Sequence, residues 1–246
     1  MKLLAIDTAT RACSVAIADP AGLICELTLQ TGQTHSANLL SLIERALSAA
    51  RVEMAQIGGF GITIGPGSFT GLRIGLGVVK GLALALGRQV VGVSSLEALA
   101  YPCGHWPGLV CPLLDARKGE VYYSLYDMQT HGQRHRGPDA VGTIEQALAG
   151  ITEPCLFVGD GARLYRERIV AARGDRATFG GVGLDSIRAA AVADLALSAF
   201  GRGQAQDAGG LAPRYVRRSE AEASSQPAGI HSHAGSDIID KFPVSC

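Results

Sequence analysis

Ile6-Asp7-Thr8-Ala9-Thr10 places one carboxylate and two hydroxyls directly after an apolar run at residues 3–6. Between two strands, such a loop can organise a metal ion through its Asp and offer backbone N–H groups to a phosphate. The chemistry needs a glycine where the phosphate comes closest. Here that position is Ala9, whose methyl group crowds the approach. Asp7, Thr8 and Thr10 are therefore expected to form a vestigial nucleotide loop, a strand-end turn capped by its own side chains. Weak nucleotide binding at most is expected, with no tightly bound cofactor.

A second candidate is Gly65-Pro66-Gly67-Ser68-Phe69-Thr70-Gly71-Leu72-Arg73-Ile74-Gly75. A glycine-rich turn leading into a helix can cradle an anion. No Gly-Lys-Ser/Thr follows, so it is not a Walker loop. A tight crossover with Ser68 or Phe69 near the helix cap is the plainer reading. His131 and His135 have metal-ligand spacing if they lie on a helix. Their segment, Thr130-His131-Gly132-Gln133-Arg134-His135-Arg136-Gly137-Pro138, is not expected to be helical and holds no carboxylate. A solvated loop without a metal is expected there. His35 is expected to be a helix cap or an interface residue and His105 to be structural, and metal binding by His231 and His233 would be incidental. No Gly-x-Ser-x-Gly elbow is present.

The elements that must hold these loops follow from periodicity. Residues 3–6, 13–18 and 23–30 predict three sequential strands with tight turns between them. A helix is predicted over 36–50, with Leu39, Leu40, Ile43, Ala46, Leu47 and Ala50 on one arc. A strand over 59–64, a helix over 70–86 ending at Gly87, a strand over 89–93 and a short helix over 94–101 follow. That order, β-β-β-α-β-α-β-α, implies a mixed sheet with helices on its faces. Further on, strands are predicted at 109–114, 120–126 and 155–158. Helices are predicted at 143–150, 163–172 and 185–200. The expected organisation is an N-terminal lobe over 1–104, a smaller lobe over 105–184, a helix and segment over 185–218 packing back on both, and a disordered tail over 219–246.

On the helix over 70–86, Gly71, Gly75, Val78, Val79, Leu82 and Leu86 share the face expected to meet the sheet. Opposite them lie Leu76, Gly77 and Leu84 beside Arg73 and Lys80. An apolar stripe flanked by two cations is the pattern of an interface with charges at its rim.

The chain has 246 residues, with 22 Lys+Arg against 22 Asp+Glu. Zero formal charge excludes a nucleic-acid binder acting by bulk positive charge. Two arginine-rich stretches, 163–176 and 202–218, are expected to be solvated faces. The six Cys form no C-x-x-C pair, and most lie in apolar runs, as in a reduced cytoplasmic protein. The start is not expected to be a signal peptide, nor the uncharged stretch 54–72, broken by six Gly, a membrane span.

Taken together, these motifs resemble the bacterial TsaB (YeaZ) family. The resemblance is carried by Leu4-Ala5-Ile6-Asp7-Thr8-Ala9-Thr10, the His35-Ser36 helix, the 65–75 block and Leu114-Asp115-Ala116-Arg117-Lys118-Gly119-Glu120-Val121-Tyr122. It covers about residues 1–218. It implies an α/β, two-lobed actin/Hsp70/sugar-kinase-like (ASKHA) fold with a shortened second lobe. It also implies a non-catalytic partner of the catalytic subunit TsaD, acting with the ATPase TsaE. That complex places threonylcarbamoyl on the adenosine beside the tRNA anticodon, so tRNA would be met indirectly. Pairing through the N-terminal lobe is implied, with a homodimer as an alternative partner and no membrane. The catalytic relatives carry a metal-binding His pair on the helix after the fifth strand; the matching Ser94-Ser95-Leu96-Glu97-Ala98-Leu99-Ala100-Tyr101 has none. Val158-Gly159-Asp160-Gly161-Ala162 is a weak echo of an adenosine-contact loop. The alternative is an active ATP-dependent kinase or glycoprotease-like metallopeptidase of the same superfamily. The missing loop glycine and missing metal ligands count against it.

Overall fold

The computed structural model describes residues 1–30, 35–128 and 134–217. The first lobe begins with strands β1 (Lys2–Asp7), β2 (Cys13–Asp19) and β3 (Gly22–Leu29), then helix α1 (His35–Ala50). Strand β4 (Ile57–Gly65), helix α2 (Phe69–Leu86), strand β5 (Gln89–Ser94) and helix α3 (Ser95–Ala100) complete it. The sheet order is β3-β2-β1-β4-β5, with the first three strands antiparallel and β1, β4 and β5 parallel.

β1 is central, and its residues Leu3, Leu4, Ala5, Ile6 and Asp7 are fully buried. A continuous apolar run is what a strand covered on both faces requires. The covers follow from alternation along β4. A Cβ on Gly59 or Gly61 would meet Phe200 or Ala196 of the last helix, whereas Ile62 lies against Gly75 of α2. Two glycines facing an alanine-rich helix let that helix approach the sheet closely. Among the described residues, α2 is the helix long and apolar enough to cross a membrane, but Gly71, Leu72, Gly75, Leu76, Val79 and Ala83 are buried within the fold.

The second lobe holds β6 (Leu109–Arg117), β7 (Glu120–Tyr123), β8 (Tyr126–Asp127), β9 (Arg134–His135) and β10 (Ala140–Gly142). Helix α4 (Ile144–Leu148), β11 (Cys155–Val158), α5 (Asp160–Leu164), α6 (Arg166–Arg173) and β12 (Ala177–Phe179) follow. Its sheet runs β10-β7-β6-β11-β12, with β8 and β9 as a ribbon beside β6. Leu109, Cys111 and Leu113 of β6 pack with Phe157, Ile144 and Ile169. Val110 and Leu114 instead belong to the core of the first lobe. One strand thus joins the two cores through its alternate faces.

Several boundaries differ from the sequence expectation. The helix predicted over 163–172 is two helices broken at Tyr165, which sits at φ −104, ψ 19. The last helix, α7 (Ala189–Gly201), starts four residues later than predicted. Its start is fixed from outside: the Ser14 hydroxyl accepts from Ala189 N–H (3.0 Å) and the Glu26 carboxylate from Ala190 N–H (3.0 Å). Those partners come from β2 and β3, so no local cap signals the start. On α1, Leu42 is buried and Leu40 is 55% exposed, reversing the expected placement of Leu40. His131 and the tail over 219–246 lie outside the described residues.

After α7 the chain crosses the molecule as a strap. Gln206 exchanges two backbone hydrogen bonds with Val90. Leu211 is buried against Gly92, and Arg214 N–H donates to Ile64 O (2.7 Å) at the end of β4. Beyond it, the Arg214 guanidinium reaches Asp139 of the second lobe (3.3 Å), and Arg217 pairs with Glu120 and donates to Ala116 O.

Candidate functional site

Asp7 is the last residue of β1, the central strand of the first sheet. It is fully buried. Its Oδ1 accepts from the Thr63 hydroxyl (2.6 Å) and from Ala9 N–H (3.1 Å). Its Oδ2 has no hydrogen-bond partner among the described residues. Burial outweighs both hydrogen bonds and raises the carboxyl to a pKa of about 7.

The loop after Asp7 is closed by the 65–71 segment. Ser68 N–H donates to Ala9 O (2.7 Å), and the Thr8 hydroxyl donates to Gly71 O (2.8 Å). A Cβ on Gly67 would lie 2.3 Å from Ala9 O, and one on Gly75 would lie 2.3 Å from Thr8 Oγ1. Thr8 is fully buried and Ala9 is 1% exposed; Thr10 is half-buried and accepts from Ala12 N–H. The Ser68 N–H, at the cap of α2, is thus already bonded. Ser68 itself caps α2 by accepting from Gly71 N–H. Gly65, at φ +115, has the strap immediately over it, with Arg214 O 2.6 Å from the place of a Cβ. The two sequence-predicted loops are thus brought together, and each fills the other.

The α2 residues divide. Leu84 is 71% exposed, Gly77 faces open space, and Arg73 is exposed, while Lys80 is half-buried. Leu76 corrects the expected stripe: it is only 4% exposed, because Leu211 and Pro213 of the strap lie beside it. These residues line a groove of about 340 Å³ with Arg73, Gly77, Lys80 and Tyr215. The Arg73 guanidinium lies 3.8 Å over the Phe69 ring and its Nε donates to the Tyr215 hydroxyl (3.1 Å). Phe69 and Tyr215 stack at 5.1 Å.

A polar cluster that the sequence did not reveal lies at the lobe junction. Asp139 Oδ2 accepts from the Ser94 hydroxyl (3.1 Å) and meets Arg214. His135, expected in a solvated loop, is in β9, stacked on Tyr126 at 4.8 Å. Its Nε2 is 2.5 Å from Ser124 Oγ and 3.6 Å from Asp139. One ring nitrogen faces both groups, so this is not the relay of a nucleophilic triad, which uses both nitrogens. Its members come from positions 94, 124, 135, 139 and 214, so no local motif signalled it. In the second lobe, Asp160 Oδ1 accepts from Asp115 N–H (3.0 Å), and burial raises the Asp160 carboxyl. A Cβ on Gly159 would strike Leu113 O at 2.3 Å. No three His, Cys, Asp or Glu side chains among the described residues form a group able to hold a metal ion.

Over 226 residues the chain is 31% identical to the tRNA threonylcarbamoyladenosine biosynthesis protein TsaB of Bacillus subtilis (strain 168), covering 91% of this chain and 97% of that one. The chain belongs to the TsaB family. The sequence model of the family described as TsaD, tRNA N6-adenosine threonylcarbamoyltransferase, matches residues 29–223 of this TsaB-family chain. The solved structure of YeaZ from Pseudomonas aeruginosa is 32% identical, with a TM-score of 0.73 over 87% of this chain and 99% of that one. Component A of (R)-2-hydroxyglutaryl-CoA dehydratase from Acidaminococcus fermentans is 11% identical, with a TM-score of 0.50 over 82% of this chain and 98% of that one. That likeness concerns the fold alone. The fold is of the two-lobed actin/Hsp70/sugar-kinase-like type.

Proposed function

We propose that this TsaB-family chain is a non-catalytic subunit in tRNA threonylcarbamoyladenosine biosynthesis, pairing with a TsaD-type catalytic subunit and working with a TsaE-type ATPase. Membership of the family supplies the pathway. The observation that carries the non-catalytic role is the closed loop: a fully buried Asp7, with Ser68 N–H bonded to Ala9 O above it. Restoring glycine at position 9 would remove a methyl group but leave that backbone bond in place. A phosphate at this loop would have to compete with the 65–71 segment packed on Thr8 and Ala9.

The match to a transferase family model favours a second, catalytic reading. Asp7 counts against it, since the carboxyl that would organise a metal is fully buried.

The pairing surface proposed is the open face of α2. Exposed Leu84 gains nothing for the isolated chain, whereas an apolar residue there can be buried by a partner. Leu84→Glu should leave the fold intact, since an exposed substitution changes stability by about 0.5 kcal/mol or less. It should abolish co-elution with the TsaD-type subunit in sizing chromatography. Val79→Glu, at a fully buried position of the same helix, should instead unfold the chain, because an unpaired buried charge costs several kcal/mol. If Leu84→Glu co-elutes normally, the contact lies elsewhere.

A further inference from the structure

The groove beside α2 has a composition that specifies more than an apolar contact. Its floor is Leu76, Leu211 and Pro213, and Arg73 and Lys80 stand on its α2 side. Neither cation has an acidic partner among the described residues. They are seven residues apart on one helix, an axial separation of about 10 Å. An occupant should therefore be apolar, with two negative charges spaced at about that distance.

The same chain carries such a segment. Residues 237–244 read Asp237-Ile238-Ile239-Asp240-Lys241-Phe242-Pro243-Val244. In an extended, polyproline-type chain, residues three apart share a side and lie about 9 Å from one another. Asp237 and Asp240 then match the two cations, and Ile238, Ile239 and Phe242 supply apolar surface. The residues from 219 onward hold Glu220, Glu222, Asp237 and Asp240 against Lys241, a surplus of negative charge opposite a positive groove. Reach is no obstacle. Tyr215 lines the groove, and the residues between it and Asp237 extend to at most about 70 Å.

We propose that segment 237–244 docks in the groove formed by α2 and the strap of its own chain. The tether raises the local concentration of the segment to the order of millimolar, so modest contacts suffice. Docked there, it borders the open α2 face and competes with any partner that uses it. The docking stands independently of the pairing proposed above: cross-links report the segment, and chromatography reports the partner.

The test is a photo-reactive benzoylphenylalanine at position 77 of the full chain, where a side chain meets open space. Irradiation, digestion and mass spectrometry identify what lies against it. The expected result is linkage to peptides from 237–244. In a mixture of heavy-labelled and unlabelled chains, the linked peptides should carry a single label. Asp237→Lys with Asp240→Lys should lower the yield about fivefold, the effect of losing two exposed ion pairs. The same probe at position 81, also open, serves if the first variant misfolds. Linkage confined to other segments, mixed-label products from a second copy, or a yield indifferent to the charge reversal would each overturn the proposal.

Discussion

Asp7 shows how packing can shut a strand-end carboxylate away from solvent. The strand still ends in a carboxylate, but Thr63, Ala9 and the 65–71 segment close around it. Its raised pKa has a measurable consequence. A carboxyl whose folded value lies above its unfolded value binds its proton more tightly when folded. Its contribution to stability is fully present below pH 3.8 and lost as pH rises through about 7. Asp7→Asn removes that titration. The variant should therefore gain on the wild type between pH 4 and pH 8 by a few kcal/mol in urea unfolding. Parallel profiles for the two proteins would show that Asp7 is not buried as a neutral acid. Sequence legibility at this scale was uneven. The methyl group of Ala9 was visible in the sequence, but the backbone bond from Ser68 that closes the loop joins residues 59 positions apart in the chain. Leu76 misled because periodicity shows which face a residue is on and not what later segment returns to cover it.

Helix α2 separates two uses of glycine. Gly75 is a packing glycine, with Thr8 Oγ1 2.3 Å from where a Cβ would stand, and Gly77 faces open space. Gly75→Ala should push α2 from the sheet and destabilise the chain by about 1–3 kcal/mol, the range for overpacking. Gly77→Ala should stabilise it by about 0.5–1 kcal/mol through helix propensity alone. Equal melting shifts for the two would refute this division. Elements with a strong local period and a local stop signal were legible: α2 ends at Gly87, which adopts the left-handed conformation (φ 62) and caps its last carbonyls. The start of α7 was not legible, because its first N–H groups are satisfied by Ser14 and Glu26 from distant strands. Short strands such as β9 and β10 were missed for the same reason, since pairing with neighbours defines them and no period is visible in two or three residues.

At the scale of the molecule, two lobes share apolar surface through β6, and the strap ties them with Arg214 to Asp139 and Arg217 to Glu120. The strap lies over Gly65 at the end of β4, and the 65–71 segment packs on the loop after β1. Calorimetry with ATP and Mg on the purified chain should give no binding heat at micromolar concentrations. A micromolar site that Asp7→Ala abolishes would show a working phosphate loop.

The role proposed is that of a chain required in the pathway without performing its chemistry. The direct measurement is threonylcarbamoyladenosine formed in tRNA, with threonylcarbamoyl-adenylate supplied and each protein omitted in turn from a mixture of this chain, a TsaD-type subunit and a TsaE-type ATPase. The expected result is no product from this chain alone, and product from the full mixture that collapses when this chain is left out. Product formed by this chain without the TsaD-type subunit, or undiminished product in its absence, would contradict it.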